Sequence, residues 1–492
     1  HPSGRRANDG DPAMIVETTH GRVRGQERRG VATWRGIPYA SAPRFMPPGE
    51  VTTWAGVRDA LVFGPFATQG RDARSMMMSG VTERTEMGED CLVLNVYAPT
   101  DFAERKRPVV VWIHGGAFIM GAGSQPLYDG TSFAANHDVV VVTINYRLGL
   151  LGLMYMGDLL GELYEQGNVA LLDQLAALRW VQQNIAAFGG DPAAVTVMGE
   201  SAGAISIAHV LAIPASRGLF TRAILQSGAF GLVHRTRHDA TKLATDVAAW
   251  LGVPPAALVD APVERLVAAQ LHLSTTLGLG AFAPYIDGVT LPGNPLEIVR
   301  GGGAAGVSLV LGSNRDEWAL FDTFLGHQST QLVVRQLRAR FGAAMDSYHE
   351  QYRDARADRS DARAWVDLIG DMAFRIPMIH LAEAKLAHAP VWMYRFDFGT
   401  PMLGAAHALE LPFVWNVIEG PFAQLVLGGD VASARPLADA MHGAWSSFIR
   451  TGSPVTTPPW PTYDAERRAT LIFDRTLHVV DDPAGDLRRI WE

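Results

Sequence analysis

The chain of 492 residues holds one cysteine, Cys91, so no disulfide can form within it and no C-x-x-C zinc site can be built. It has no N-x-[ST] acceptor and no H-E-x-x-H, which removes a zincin-type metal site. No apolar run approaches the length needed to cross a bilayer. It also lacks an excess of basic charge. The formal net charge is -8 with acids and bases mixed along the chain, so nucleic acid and anionic membrane surfaces are not evident partners. Residues 116–121 have Walker-like spacing, but Ala122 and Gly123 stand where Lys and Ser/Thr are required, and Gly121-Ala122-Gly123 is not completed as G-x-G-x-x-G. A nucleotide site is therefore not expected.

What remains is of ordinary globular composition, 48% hydrophobic and 19% charged, without repeats or low-complexity blocks. Residues 1–13 are polar and lack an apolar leader; they read as a disordered tail or a non-native leftover. Residues 14–25 read as a small hairpin turning at His20-Gly21. Residues 34–48, rich in Pro and aromatics, read as an ordered loop. Met76, Met77 and Met78 form a soft apolar patch. Strands are expected at 92–97, 108–113, 139–144, 195–198, 223–226, 307–312 and 391–398, with long helices at 168–188 and 437–450. Val109 to Ile113 is an unbroken apolar run, as in a strand buried on both faces. The alternation implies an α/β fold with a doubly wound, mostly parallel sheet. With no convincing linker, residues 14–492 read as one domain with helical insertions at about 232–300 and 320–390.

The sharpest local signal is Gly199-Glu200-Ser201-Ala202-Gly203, set between a short strand and an apolar helix start. That is the context in which a G-x-S-x-G serine is exposed on a strained turn. Alone it is a weak motif, equally suited to a packing turn, and needs a base, an acid and an oxyanion site. Ligands of open α/β sheets lie beyond the carboxyl ends of the strands. There the chain offers His114-Gly115-Gly116, whose glycines let N–H groups approach a substrate oxygen. It also offers Asn314-Arg315-Asp316-Glu317 and, later, His407. Serine, acid, histidine is the chain order of α/β hydrolases.

At this point the chain resembles the type-B carboxylesterases, the family of bacterial p-nitrobenzyl esterases, liver carboxylesterases and cholinesterases. The resemblance rests on R-G-I-P-Y-A at 35–40, E-D-C-L-V-L-N at 89–95, H-G-G-A-F at 114–118, N-Y-R-L-G at 145–149 and G-N-V-A-L-L-D-Q at 167–174. It continues through N-I-A-A-F-G-G-D-P at 184–192, the serine pentapeptide, Q-S-G at 226–228 and H-A-L-E-L-P-F at 407–413. It implies an α/β-hydrolase fold with Ser201 as nucleophile, Glu317 as acid and His407 as base. Gly115, Gly116 and Ala202 fall on the oxyanion-hole positions. Glu200 matches an acid beside the nucleophile and near the substrate, and Ser227 matches a serine that supports the site, a position equally suited to plain packing. The resemblance chooses Glu317 over Asp316; spacing alone does not.

Two departures stand out. The family's usual partner of Cys91 falls on alanine, which implies a buried free thiol. Trp318 replaces a glycine after the acid, either narrowing the pocket or filling core. Phe118, Trp318, Phe321, Phe324, Met402, Leu403 and Phe413 are pocket candidates by nearness to the loops. The expected activity is hydrolysis of aryl or short- to medium-chain esters, without metal or cofactor. An amidase or carbamate hydrolase would use the same machinery, and a non-catalytic adhesion module the same fold. A monomer is expected. A cytoplasmic location is expected from the single cysteine, with secretion after signal removal left open.

Overall fold

The computed structural model describes residues 14–71, 84–231, 234–356, 360–427 and 431–492. The tail at 1–13 and the Met76–Met78 patch lie outside the described residues. Among the described residues, eleven strands form the main sheet. In chain order they are β1 (Gln26–Arg28), β2 (Val31–Pro38), β3 (Val93–Pro99), β4 (Arg107–Ile113), β5 (Val140–Ile144) and β6 (Gly190–Glu200). Then come β7 (Arg222–Gln226), β8 (Ser308–Asn314), β9 (Val391–Phe396), β10 (Ala469–Phe473) and β11 (His478–Asp481). Their spatial order is β11-β10-β9-β8-β7-β6-β4-β5-β3-β2-β1. Every pair from β5 through β4, β6, β7, β8 and β9 to β10 is parallel, and the outer strands pair antiparallel.

The central strands are parallel, and the crossovers that join them give their side chains apolar cover on both faces. Along β4, Val109, Val111 and Ile113 join one buried cluster, while Val110 and Trp112 join another. That alternation is the two-residue period of a strand feeding two cores. Helix α1 (Val169–Asn184) packs into the first core, and α4 (Val431–Thr451) into the second. Between them in sequence lie α2 (Ala202–Ala212) and α3 (Ala319–Phe324). Helix α1 ends through a 3₁₀ turn at Gly189, whose φ of 80° suits glycine.

The hairpin at 14–25 forms as Ile15–Thr18 paired with Gly21–Arg24, and Val57–Asp59 adds a third strand. One expectation is corrected. Residues 34–48 are not loop throughout, because Val31–Pro38 is a strand paired with β3. Its register shifts between Trp34 and Ile37, where Gly36 has a φ of 69°. The irregularity breaks the alternation that marks a strand. No helix among the described residues is long and apolar enough to cross a membrane.

The sheet order reverses around β4, since β5 lies on one side and β6 on the other. The chain leaves β4 in one direction and later returns on its other flank. The loops at this switch point diverge and open a crevice at the carboxyl edge. His114–Gly116 follow β4, Ser201 follows β6, Glu317 follows β8 and His407 follows β9.

Candidate active site

Ser201 sits between the last residue of β6 and the first of α2 with φ 54° and ψ -122°. A non-glycine residue there is strained and must be held by its surroundings. Its N–H donates to the Gln226 carbonyl at 2.9 Å. The glycines two before and two after it permit the crossing. A Cβ at Gly203 would fall 2.0 Å from the Ile113 carbonyl oxygen, and one at Gly199 would fall 2.7 Å from the Gly203 carbonyl carbon. No side chain fits at either position. The strained turn thus follows from close packing of β6 and α2 against the end of β4.

The glycine loop lies against this turn. A Cβ on Gly115 would sit 3.2 Å from Ser201 Cβ and 2.7 Å from Glu200 Oε2. Gly116 has φ 114°, and its carbonyl accepts from the Ile119 and Met120 N–H groups. Ala117 and Phe118 are also left-handed. Among the described residues, the Gly115, Gly116 and Ala202 N–H groups donate to no protein acceptor. The base of the loop is fixed by Tyr146, whose hydroxyl donates to the His114 carbonyl at 2.7 Å. Burial lowers the His114 imidazole pKa to about 4, so that ring is neutral packing.

His407 Nδ1 donates to Glu317 Oε2 at 2.6 Å, and both side chains are buried. The second oxygen of Glu317 accepts the Asn314 N–H at 2.7 Å. Asp316, the other acid of that loop, is held elsewhere by Arg315, Arg363 and the Ala405 N–H. Geometry therefore separates two carboxylates that spacing could not. His407 Nε2 comes within 3.1 Å of Glu200 Oε1. Among the described residues, Ser201 Oγ makes no hydrogen bond, although Ser201 and His407 line one cavity.

Electrostatics follow from this crowding. Burial alone would lower the His407 pKa, but the Glu200 and Glu317 carboxylates outweigh it and raise it to about 9. Burial pushes Glu200 up to about 8, with His407 opposing. Glu410, wholly buried, accepts from Gln226 Nε2 at 3.1 Å and Asn314 Nδ2 at 2.7 Å. Its pKa is raised by burial and by the nearby Glu317 charge.

The cavity has a volume of about 1260 Å³, with Gly115, Gly116, Glu200, Ser201 and His407 on its wall. Phe321 and Phe324 line it, joined by Met120, Leu127, Tyr128 and Val417. The other pocket candidates do not. Phe118, Leu403 and Phe413 are buried in the cores, and Met402 is 59% exposed. Nearness in sequence to a loop does not fix which way a side chain faces, and these four face core or solvent instead. Trp318 donates its indole N–H to Thr330 at 3.1 Å and packs on Phe321, filling space behind the cavity wall. Ser227 is buried beyond β7 with φ 51°, and its hydroxyl has no hydrogen-bond partner among the described residues.

Sequence reasoning missed Phe374. Its ring lies 4.5 Å from the His407 ring, centroid to centroid, and Phe321 lies 5.1 Å away. Phe374 belongs to a five-residue π-helical turn, Asp371–Arg375. Nothing in local sequence marks it. Glu410 had a signal, its place three residues after His407, but no role was read from it.

Parallel sheet, strained serine turn and carboxylate-held histidine define the α/β-hydrolase class. Within that class the chain belongs to the carboxylesterase family, whose profile matches residues 12–485. It is 38% identical to the para-nitrobenzyl esterase of Bacillus subtilis (strain 168), over 97% of this chain and 98% of that one. It is 35% identical to phenmedipham hydrolase of Pseudarthrobacter oxydans, over 96% and 97%. A Geobacillus stearothermophilus carboxylesterase structure at pH 6.2 superposes with TM-score 0.86 at 40% identity, covering 97% of this chain and all of that one. A PNB esterase structure gives TM-score 0.87 at 38% identity, over 97% and 99%.

Proposed function

We propose that the protein is a serine esterase that hydrolyses carboxylic esters through an acyl-enzyme. The observation that carries this reading is the buried Glu317–His407 pair facing the same cavity as a serine on a strained turn. Ser201 Oγ attacks the ester carbonyl carbon while neutral His407 takes its proton at Nε2. In the reacting complex, Nε2 exchanges its Glu200 neighbour for that hydroxyl. Glu317 keeps the proton on Nδ1 and stabilises the imidazolium. The tetrahedral oxyanion accepts from the Gly115, Gly116 and Ala202 N–H groups, each worth about 10²–10³ in rate. Imidazolium gives its proton to the leaving alcohol. Water then attacks the acyl-serine by the same route, releasing the acid and restoring Ser201.

The largely apolar cavity supports aryl and medium-chain esters as substrates. A panel of p-nitrophenyl, naphthyl and aliphatic esters of rising acyl length, with one anilide, tests class and size preference together. Ser201→Ala is expected to keep its circular dichroism spectrum and lose about 10⁴-fold or more in kcat. A fluorophosphonate adduct should map to Ser201 by mass spectrometry. An adduct on another serine, with Ser201→Ala still active, overturns the assignment.

A further inference from the structure

The cavity does not end as it begins. Around Ser201 its wall is glycine, aromatic and aliphatic, but Arg28, Arg29 and Arg35 also line it. Arg28 lies on β1 and Arg35 on β2. Ser201 follows β6, and β6 is separated from β2 by β4, β5 and β3. At about 4.8 Å per strand, the arginines stand on the order of 20 Å along the sheet from the serine. One space therefore joins a nucleophile and a remote cationic wall.

That wall is short of counter-charge. Asp129 lies beside it and pairs with Arg29 at 3.2 Å. Glu419, the other acid away from the serine, is engaged by Arg435. Arg28 has no ion pair among the described residues. The Arg35 guanidinium lies over the Phe63 ring at 4.3 Å, and its buried Nε has no hydrogen-bond partner. Burial lowers the Arg35 pKa, and Arg28 adds to the effect, though Tyr97 and Asp129 oppose it. A half-buried guanidinium on an otherwise largely apolar wall favours an anionic acceptor.

We propose that this end of the cavity receives a carboxylate, so that the preferred substrates are long, apolar esters bearing an anion remote from the scissile bond. Half-esters of long-chain dicarboxylic acids have this form. The proposal rests on the esterase reading for the reaction, but anion binding at the arginines stands apart from turnover.

The test compares esters that end in carboxylate with methyl-capped neutral ones of equal length. The charge is placed on the acyl end in one set and on the alcohol end in the other. In at least one set, kcat/KM should favour the charged ester by about tenfold or more at the length that spans the cavity, chiefly through KM. High salt and the double variant Arg28→Gln, Arg35→Gln should both bring the ratio towards one. Arg28→Gln alone, at an exposed position, should lower it in part and serves if the double variant does not fold. A ratio unchanged by the variants in both sets overturns the proposal. Calorimetric titration with a long α,ω-dicarboxylate needs no turnover. Binding weakened about tenfold or more in the variants supports the anion site, and equal binding rejects it. Failure of wild type on every neutral ester would instead count against the esterase reading.

Discussion

His407 has a carboxylate facing each ring nitrogen, Glu317 at Nδ1 and Glu200 at Nε2. As the proposed base, His407 must be neutral to act, yet each carboxylate, where ionised, favours the imidazolium. The unperturbed imidazole places the acid limb of activity near pH ~6–7, and the structure moves that expectation upward. With the His407 pKa raised to about 9, kcat/KM should still be rising above neutrality. Glu200 is the largest raising influence, so Glu200→Gln should shift the limb to lower pH. A pH profile of both proteins checks this; an unmoved limb would show that Glu200 does not face the working base. Glu317 could be told from Asp316 in sequence only by resemblance. In space the choice is physical, because two arginines and a backbone N–H already occupy Asp316.

Two short elements govern the site, and they differ in how openly the sequence announces them. The serine turn was legible because its constraint is steric and local. Gly203→Ala would put a methyl 2.0 Å from the Ile113 carbonyl oxygen. Severe destabilisation is expected, read as a lower thermal midpoint or loss of folded protein. The π-helical turn carrying Phe374 was not legible, since its role depends on a contact with a ring 33 residues later in the chain. It is anchored by Tyr352 and Arg375, both bound to Asp371. Phe374→Ala should free the imidazole to tilt, with a loss of about tenfold to a hundredfold in kcat and a smaller change in KM. Steady-state kinetics on one neutral ester separates the two. Strand β2 escaped notice for another reason: Gly36 and Pro38 look like punctuation, while the partner that makes them strand, β3, is distant in sequence.

For the whole molecule, the strands at 108–113 and 139–144 were readable because burial on both faces leaves unbroken apolar runs. Strands β10 and β11 close the sheet late in the chain and were not anticipated. The pocket was least legible, since cavities are made by elements meeting rather than by any one of them. Long-range ties hold these elements. Arg147, from the loop after β5, makes a bidentate pair with Asp173 on α1 at 2.7 and 2.8 Å, and both side chains are buried. Asp173→Ala should cost about 3–5 kcal/mol by leaving a buried guanidinium unpaired, measurable by urea unfolding. Cys91, 1% exposed and with its pKa raised by burial to about 12, should resist thiol reagents until the fold opens.

The reversal of strand order around β4 has a kinetic consequence. The proposed serine, acid, histidine and glycine loop each follow a different strand, so no short contiguous fragment would carry the full set. During refolding from denaturant, far-ultraviolet dichroism should recover well before ester turnover does. Turnover would then time the docking of the last loops rather than the collapse of the chain.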